Sequence, residues 1–330
     1  VLERLINTGC MPAGEPPLAA LCAALLHDIG HGPFSHALEG RLTPGIGHEE
    51  WTRRIILGDT EVNQVLAAAD STLPSQVVGF LQGTQPEAHY ITELVSSQLD
   101  VDRMDYLLRN SLYTGVTYGR FDLHRVINTL QLANDKIVVQ TKGIVAIEEY
   151  VLARYFMYWQ VYFHKATRSQ ELLLQAAWRR AALLWREGKL QRDMVTPSLA
   201  ALLGGEEVAL PAYLAVDDYD VVAALKMWRS HADSILADLA GRHLDRRLLK
   251  PVFKAPHTGT IDDLLDKAIA IVRGAGFDPD YYLLVDHTYD LAYDIYYEAA
   301  DEKGHKPPIL ALDERAEPVE IAKLSVTIQA

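Results

Sequence analysis

His27-Asp28-Ile29-Gly30-His31-Gly32-Pro33-Phe34-Ser35-His36 places four ionisable side chains and two glycines in ten residues. It follows the apolar run Leu18–Leu26 (Leu-Ala-Ala-Leu-Cys-Ala-Ala-Leu-Leu), whose strong helix formers and lack of a breaker predict a buried helix. A buried helix that ends in His-Asp needs partners for both groups, because an unpaired carboxylate is costly to desolvate. A metal ion is one such partner. Successive helical residues point about 100° apart, so His27 and Asp28 can both reach an ion seated beside the helix end. Gly30 and Gly32 then let the backbone turn sharply and bring His31 and His36 back toward the same pocket. The competing reading of the same residues is a helix end with a capping Asp and surface histidines.

The decapeptide resembles the HD superfamily of metal-dependent phosphohydrolases, and it is close to a signature of the deoxynucleoside triphosphate triphosphohydrolase (dGTPase-like) branch. The Gly-Tyr-Pro motif of the cyclic-di-GMP phosphodiesterases and the Glu-Asp pair of the guanosine tetraphosphate hydrolases are both absent. The similarity runs from about Leu18 to Gln175. It implies a mainly α fold, an HD-domain helical bundle, with the texture of the last third adding a small mixed α/β C-terminal region. It also implies an earlier histidine ligand several turns before His27. Residues 1–26 contain none, and the opening Val1 within a helical run leads to the expectation that the natural N-terminus is incomplete.

A second signal is Leu99-Asp100-Val101-Asp102-Arg103-Met104-Asp105-Tyr106, on an apolar stripe that includes Leu94, Leu107 and Leu108. Helical spacing puts Asp102 one turn before Tyr106. The element is similar to the family's Asp-Val-Asp-Lys-x-Asp-Tyr, which makes Asp102 the distal metal ligand beside His27 and Asp28. Two imidazoles and two carboxylates suit a divalent transition metal (iron, manganese, zinc or nickel), with magnesium travelling on substrate phosphates. Asp100 and Asp105 are expected to cap or to pair with Arg103 and Arg109. By the same resemblance Arg103 stands for a phosphate-binding lysine, Tyr106 flanks the sugar, and Asn110 replaces an Asp that holds the 3′-hydroxyl. Gly47-His48-Glu49-Glu50-Trp51 resembles the family's His-Glu element. That match places His48 near the scissile phosphate, oriented by Glu39, with His31, His36 or His48 supplying a proton to the leaving oxygen.

Further on, residues 113–125 read as a loop leading to a helix capped by Asp122, and Lys136–Ile147 reads as a short hairpin. Helix is expected from Glu148 past Tyr162, with Arg154, Tyr158, Tyr162 and Lys165 recurring along one stripe. The resemblance implies that Arg154, Tyr162, His164 and Lys165 line a nucleotide pocket. Ser169–Arg186 reads as an amphipathic helix whose Trp178-Arg179-Arg180 is a candidate oligomer contact. Prolines and glycines in 193–216 suggest a division into a phosphohydrolase core, 1–190, and a helical plus short-strand region, 191–330. Helices are expected over Asp217–Leu239 and Thr260–Arg273, the latter with a capping box at Thr260. Strands are expected at Tyr281–Asp286, Pro308–Leu312 and Ile321–Ile328. Nothing in this half reads as catalytic, so assembly or regulation is its expected role.

At 330 residues the chain can hold one large domain, or a core with an appendage. No apolar run is long enough to span a bilayer, and no stretch reads as a secretory signal. Cys10 and Cys22 have neither zinc-like spacing nor disulfide density, so a reducing cytoplasm is the expected compartment. A net charge of −13 argues against a broad polyanion surface and hence against nucleic acid as a partner. An anionic substrate must be met locally, by a metal and a few placed cations. The expected activity is hydrolysis of deoxynucleoside triphosphates to deoxynucleoside and triphosphate, in a homo-oligomer (dimer or tetramer). The alternatives are a phosphohydrolase of nucleoside monophosphates or other phosphoesters, or a non-catalytic nucleotide-binding protein.

Overall fold

The structure, a computed structural model, describes residues 1–11, 14, 16–84, 89–205, 208–252, 261–286 and 307–328. It is mainly α, as the resemblance implies, with one small mixed sheet. The chain forms two compact units that cut across sequence order, and residue 190 is not an edge of either. One unit comprises Val1–Ile29, Thr52–Val161 and, within Asp290–Ala330, the described residues 307–328. The other comprises Gly30–Trp51 and the described part of Tyr162–Tyr289.

In the first unit the helix Leu18–Leu26 buries Ala19, Ala20 and Ala23 in a cluster with Leu73, Val77 and Ile91. The expectation of an all-round buried helix is corrected: Leu18, Leu21 and Leu25 are exposed. Small alanines permit close helix packing, so the face with less apolar area is the one turned inward. The helix Val101–Thr114 is capped by Asp100, whose carboxylate accepts from the Arg103 N–H at 2.8 Å and the Ser97 N–H at 3.0 Å. Asp122 caps Leu123–Thr129 as its sequence position suggests.

The hairpin lies earlier than Lys136–Ile147. Strand β1 (Leu130–Ala133) pairs antiparallel with β2 (Lys136–Val139) through Asn134-Asp135, both left-handed at φ +53° and +58°. Such a two-residue turn matches the twist of the strands it joins, and Asn and Asp tolerate it. Strand β3 (Leu310–Leu312) adds parallel to β2, and β4 (Pro318–Glu320) adds antiparallel to β3. The mixed sheet is therefore half C-terminal and half built from the core hairpin. Ile321–Lys323 is a 3₁₀ turn and not the start of a strand, because the chain leaves the sheet at Glu320.

Helix Ile144–Met157 begins four residues before the expected Glu148 and ends in a π-turn, Tyr158–Tyr162. A new helix, Lys165–Arg186, starts after His164 caps it. The stripe Arg154, Tyr158, Tyr162, Lys165 thus does not run along one continuous helix. Wider turns of this kind change the phase of side chains and are frequent at functional positions.

The second unit is built on Lys165–Arg186, with Leu173, Ala177, Leu184, Trp228, Leu236 and Leu239 in its core. The expected helix Asp217–Leu239 is two helices, Asp218–Trp228 and Ser234–Leu244, because Asp233 caps a fresh start. Tyr281–Asp286 is not a strand: Pro279–Tyr282 is a short helix, whose Tyr281 ring lies under the Arg179 and Arg180 guanidinium groups. Trp178 is buried, and its indole N–H donates to the Arg41 carbonyl at 3.1 Å. Of Trp178-Arg179-Arg180, Trp178 is thus a core residue of its unit, while Arg179 is exposed. Helix Ile261–Gly274 ends where expected, while Thr260 lies outside the described residues. No helix among the described residues is long and apolar enough to cross a membrane.

Candidate metal centre and imidazole cluster

His27, Asp28 and Asp102 converge in the first unit, with one ligand atom of each within 4.8 Å of the others. His27 follows the last turn of Leu18–Leu26, and its Nδ1 lies 3.1 Å from the Ala24 carbonyl. A hydrogen bond there fixes the tautomer and turns the Nε2 lone pair outward, the arrangement that metal-binding histidines use. The His27 carbonyl accepts from the buried Thr52 hydroxyl at 3.0 Å, which pins the backbone. Nε2 lies 3.4 Å from an Asp28 oxygen and 3.4 Å from an Asp102 oxygen, yet it is buried without a hydrogen bond.

Charge at this point is lopsided. Beside Asp102, and against the opposing effect of burial, the imidazole pKa is pushed up to about 9, while the Asp102 carboxyl is held below its usual range by His27. Even with the imidazole protonated, the two carboxylates beside it leave the site short of positive charge. A divalent cation supplies it and at once satisfies the orphaned Nε2. The residues present fit a divalent metal, with one imidazole and two carboxylates as its protein ligands.

Around this trio the sequence-derived residues divide by what they touch. Arg103 bonds Asp100 and the Ser97 carbonyl through one guanidinium nitrogen, which ties it to the start of its helix. Asp105 pairs with Arg109 in solvent, at 2.9 Å from the guanidinium Nε. Tyr106 is hydrogen-bonded to Tyr158, and burial raises its phenol pKa. Arg154 is buried, with its guanidinium 5.7 Å from the Tyr158 ring centre. Tyr158 thus joins Tyr106 and Arg154 in one polar aromatic patch; its place in the stripe was the only sequence signal for it. Asn110 is partly buried on the helix of Asp102 and Tyr106. Tyr162, His164 and Lys165 belong to the other unit, where His164 caps a helix by accepting from the Ala166 N–H and Lys165 is exposed.

The second unit holds its own cluster, His31, His36, Glu39 and His48. Glu39 is its hub. One carboxylate oxygen meets His48 Nδ1 at 2.5 Å and accepts the His48 N–H at 3.0 Å; the other lies 3.0 Å from His36 Nδ1. His31 stacks on His48 with ring centres 4.0 Å apart, and His36 meets His31 edge-on at 4.5 Å. Burial pushes the Glu39 pKa up, but the hydrogen bonds from His48 and His36 outweigh it and bring the pKa down to about 2. Glu39 therefore stays ionised and orients imidazoles that can carry protons.

Two side chains outside the sequence-derived set hold this loop. The Tyr213 hydroxyl donates to the Gly30 carbonyl at 2.8 Å, and Asp218 accepts the Phe34 N–H at 2.8 Å. Their half of the chain was expected to contribute nothing to chemistry, and no local motif marks either residue.

Comparison with known proteins shows which family the chain resembles. Residues 6–110 match the HD domain and 121–187 match the HD associated region. The uncharacterized protein YwfO of Bacillus subtilis is 38% identical over 310 residues, 94% of this chain and 70% of that protein. A deoxynucleoside triphosphate triphosphohydrolase SAMHD1 homolog of Dictyostelium discoideum is 30% identical over 172 residues, 48% of this chain and 32% of that protein. The crystal structure of a phosphohydrolase from Bacteroides thetaiotaomicron superposes with a TM-score of 0.76 at 28% identity, over 99% of this chain and 79% of that one. The matched domain contains both the His27–Asp28 pair and Asp102, and on these grounds the chain belongs to the HD-domain phosphohydrolase superfamily.

Proposed function

We propose that the protein hydrolyses deoxynucleoside triphosphates to deoxynucleoside and inorganic triphosphate. The observation that carries the hydrolytic part is the convergence of His27, Asp28 and Asp102 around an orphaned imidazole nitrogen. The choice of substrate is supported by the His27–His36 signature and by the SAMHD1 relatives, of which this chain spans about a third. When bound at the trio, a divalent ion supplies Lewis acidity toward phosphate and water.

The chain's own groups account for the rest. Arg154 with Tyr106 and Tyr158 offers a cation and hydrogen-bonded phenols to phosphate and sugar, and the family resemblance assigns Lys165 and His164 as further cations for the phosphates. Tyr162 packs under the sugar, and Asn110 faces the 3′-hydroxyl as donor or acceptor. Arg103 acts through Asp100 by fixing the turn that carries Asp102. Water attacks the α-phosphorus, the bond to the 5′-oxygen breaks, and His31, His36 or His48 gives that oxygen its proton while Glu39 stays charged. We assign the working state to a homo-oligomer in the cytoplasm.

The test offers all four deoxynucleoside triphosphates together, and nucleoside monophosphates in a parallel assay, and scores the products. Release of triphosphate and deoxynucleoside supports the reading. Orthophosphate from monophosphates alone replaces it with the phosphoesterase alternative, and nucleotide binding without turnover replaces it with the non-catalytic one.

A further inference from the structure

We propose that Tyr213 and Asp218 are positioning residues for the imidazole cluster, tying down both ends of the loop that carries His31. The inference rests on the proton-delivery role given to these histidines above.

The loop is costly to form. Phe34 and Ser35, neither of them glycine, both sit in the left-handed region at φ +57° and +45°. Each such residue costs on the order of 1 kcal/mol, so surrounding contacts must hold it. At one end the buried Tyr213 hydroxyl bonds the Gly30 carbonyl; at the other the Asp218 carboxylate bonds the Phe34 N–H. Between them the loop lies so close to Tyr213 that a Cβ on Gly32 would come within 2.8 Å of the hydroxyl.

Tyr213 is itself fixed. Its ring stacks on Trp51 at 3.8 Å and 2°, and the Trp51 indole N–H donates to Thr43 at 3.1 Å. The phenol also lines a small cavity shared with His31, Glu39 and His48. Burial, with the nearby Glu39 charge, pushes the Tyr213 pKa up to about 12, which keeps the phenol protonated as the donor to Gly30 at neutral pH. Moving Gly30 or Phe34 displaces His31 from its stack on His48. Misplacement by an ångström is enough to cost catalysis heavily.

Three variants test this: Tyr213→Phe, which keeps the ring stack; Asp218→Ala; and Asp218→Asn, which keeps an acceptor oxygen for Phe34. Histidine-selective ¹⁵N NMR of the full chain reports each imidazole's tautomer and titration without needing turnover. Tyr213→Phe and Asp218→Ala are expected to shift the His31 and His48 resonances and to lower kcat about ten-fold with KM within two-fold, while Asp218→Asn restores both. Unchanged imidazole spectra in Tyr213→Phe and Asp218→Ala, with the fold intact, overturn the proposal. So does an Asp218→Asn protein as impaired as Asp218→Ala. If the wild-type protein turns over no nucleotide, the functional reading fails, and the spectra alone still decide this point.

Discussion

The trio His27–Asp28–Asp102 and the cluster His31–His36–Glu39–His48 use the same residue types to opposite ends. In the trio two carboxylates face one imidazole nitrogen that no hydrogen bond satisfies. In the cluster one carboxylate serves two imidazoles and accepts a backbone N–H as well. The first arrangement leaves that nitrogen unsatisfied; in the second both Glu39 oxygens are engaged by imidazoles. The two groups, either of which has residues that could ligate a metal, thus differ in the ratio of carboxylates to imidazoles and in how far hydrogen bonds among their own members engage them.

The largest effect that tests this contrast is expected from Asp102→Ala. Removing one of two carboxylates should strip the metal and lower turnover at least about a thousand-fold, read by elemental analysis and product release. A variant that keeps its metal breaks the comparison on the trio side. Glu39→Gln should keep the metal and lower turnover about a hundred-fold, since the imidazoles lose their orienting charge; loss of metal here would make the cluster a metal site too.

The same variant has a signature in pH. Because the folded Glu39 pKa is depressed to about 2 from 4.5, its contribution to stability is present above about pH 4.5 and fades as pH falls toward 2. With solvent screening this is worth about 1 kcal/mol, and Glu39→Gln should flatten the acid limb of the unfolding curve by that amount. Gly32→Ala should cost about 1–3 kcal/mol in denaturant unfolding, because the new methyl meets a Tyr213 hydroxyl locked in place by its stack. Asp105→Asn, one turn from Asp102 but exposed and paired with Arg109, should leave metal content unchanged and shift stability by less than about 0.5 kcal/mol.

Much of the arrangement could be read before any coordinates. Asp100 capping its helix and Asp105 beside Arg109 are short-range consequences of spacing, set by helical geometry and hydrogen-bond reach, whereas Glu39 against His48 was legible only through the family resemblance. Arg103 meets the buried Asp100 as their spacing suggests, with the Ser97 carbonyl as a further partner. The misread elements are those where tertiary contacts compete with local preference. Tyr281-Tyr282 is β-prone in isolation but is turned into a helix by Asp278 capping and Pro279, with Tyr281 packed under arginines. Leu18, Leu21 and Leu25 face outward because alanines allow the closer helix contact.

By itself the sequence determined the residue types of both groups, the helices that carry most of them, and the match that marks an HD domain. Only the tertiary structure decided that Tyr213 and Asp218 reach back to the His31 loop, that strands near residues 130 and 310 share a sheet, and that the chain's compact units ignore its order. The physical reason is range. Caps and periodic faces depend on neighbours within a helical turn or two, whereas a hydrogen bond across 183 residues exists only once packing has brought its ends together.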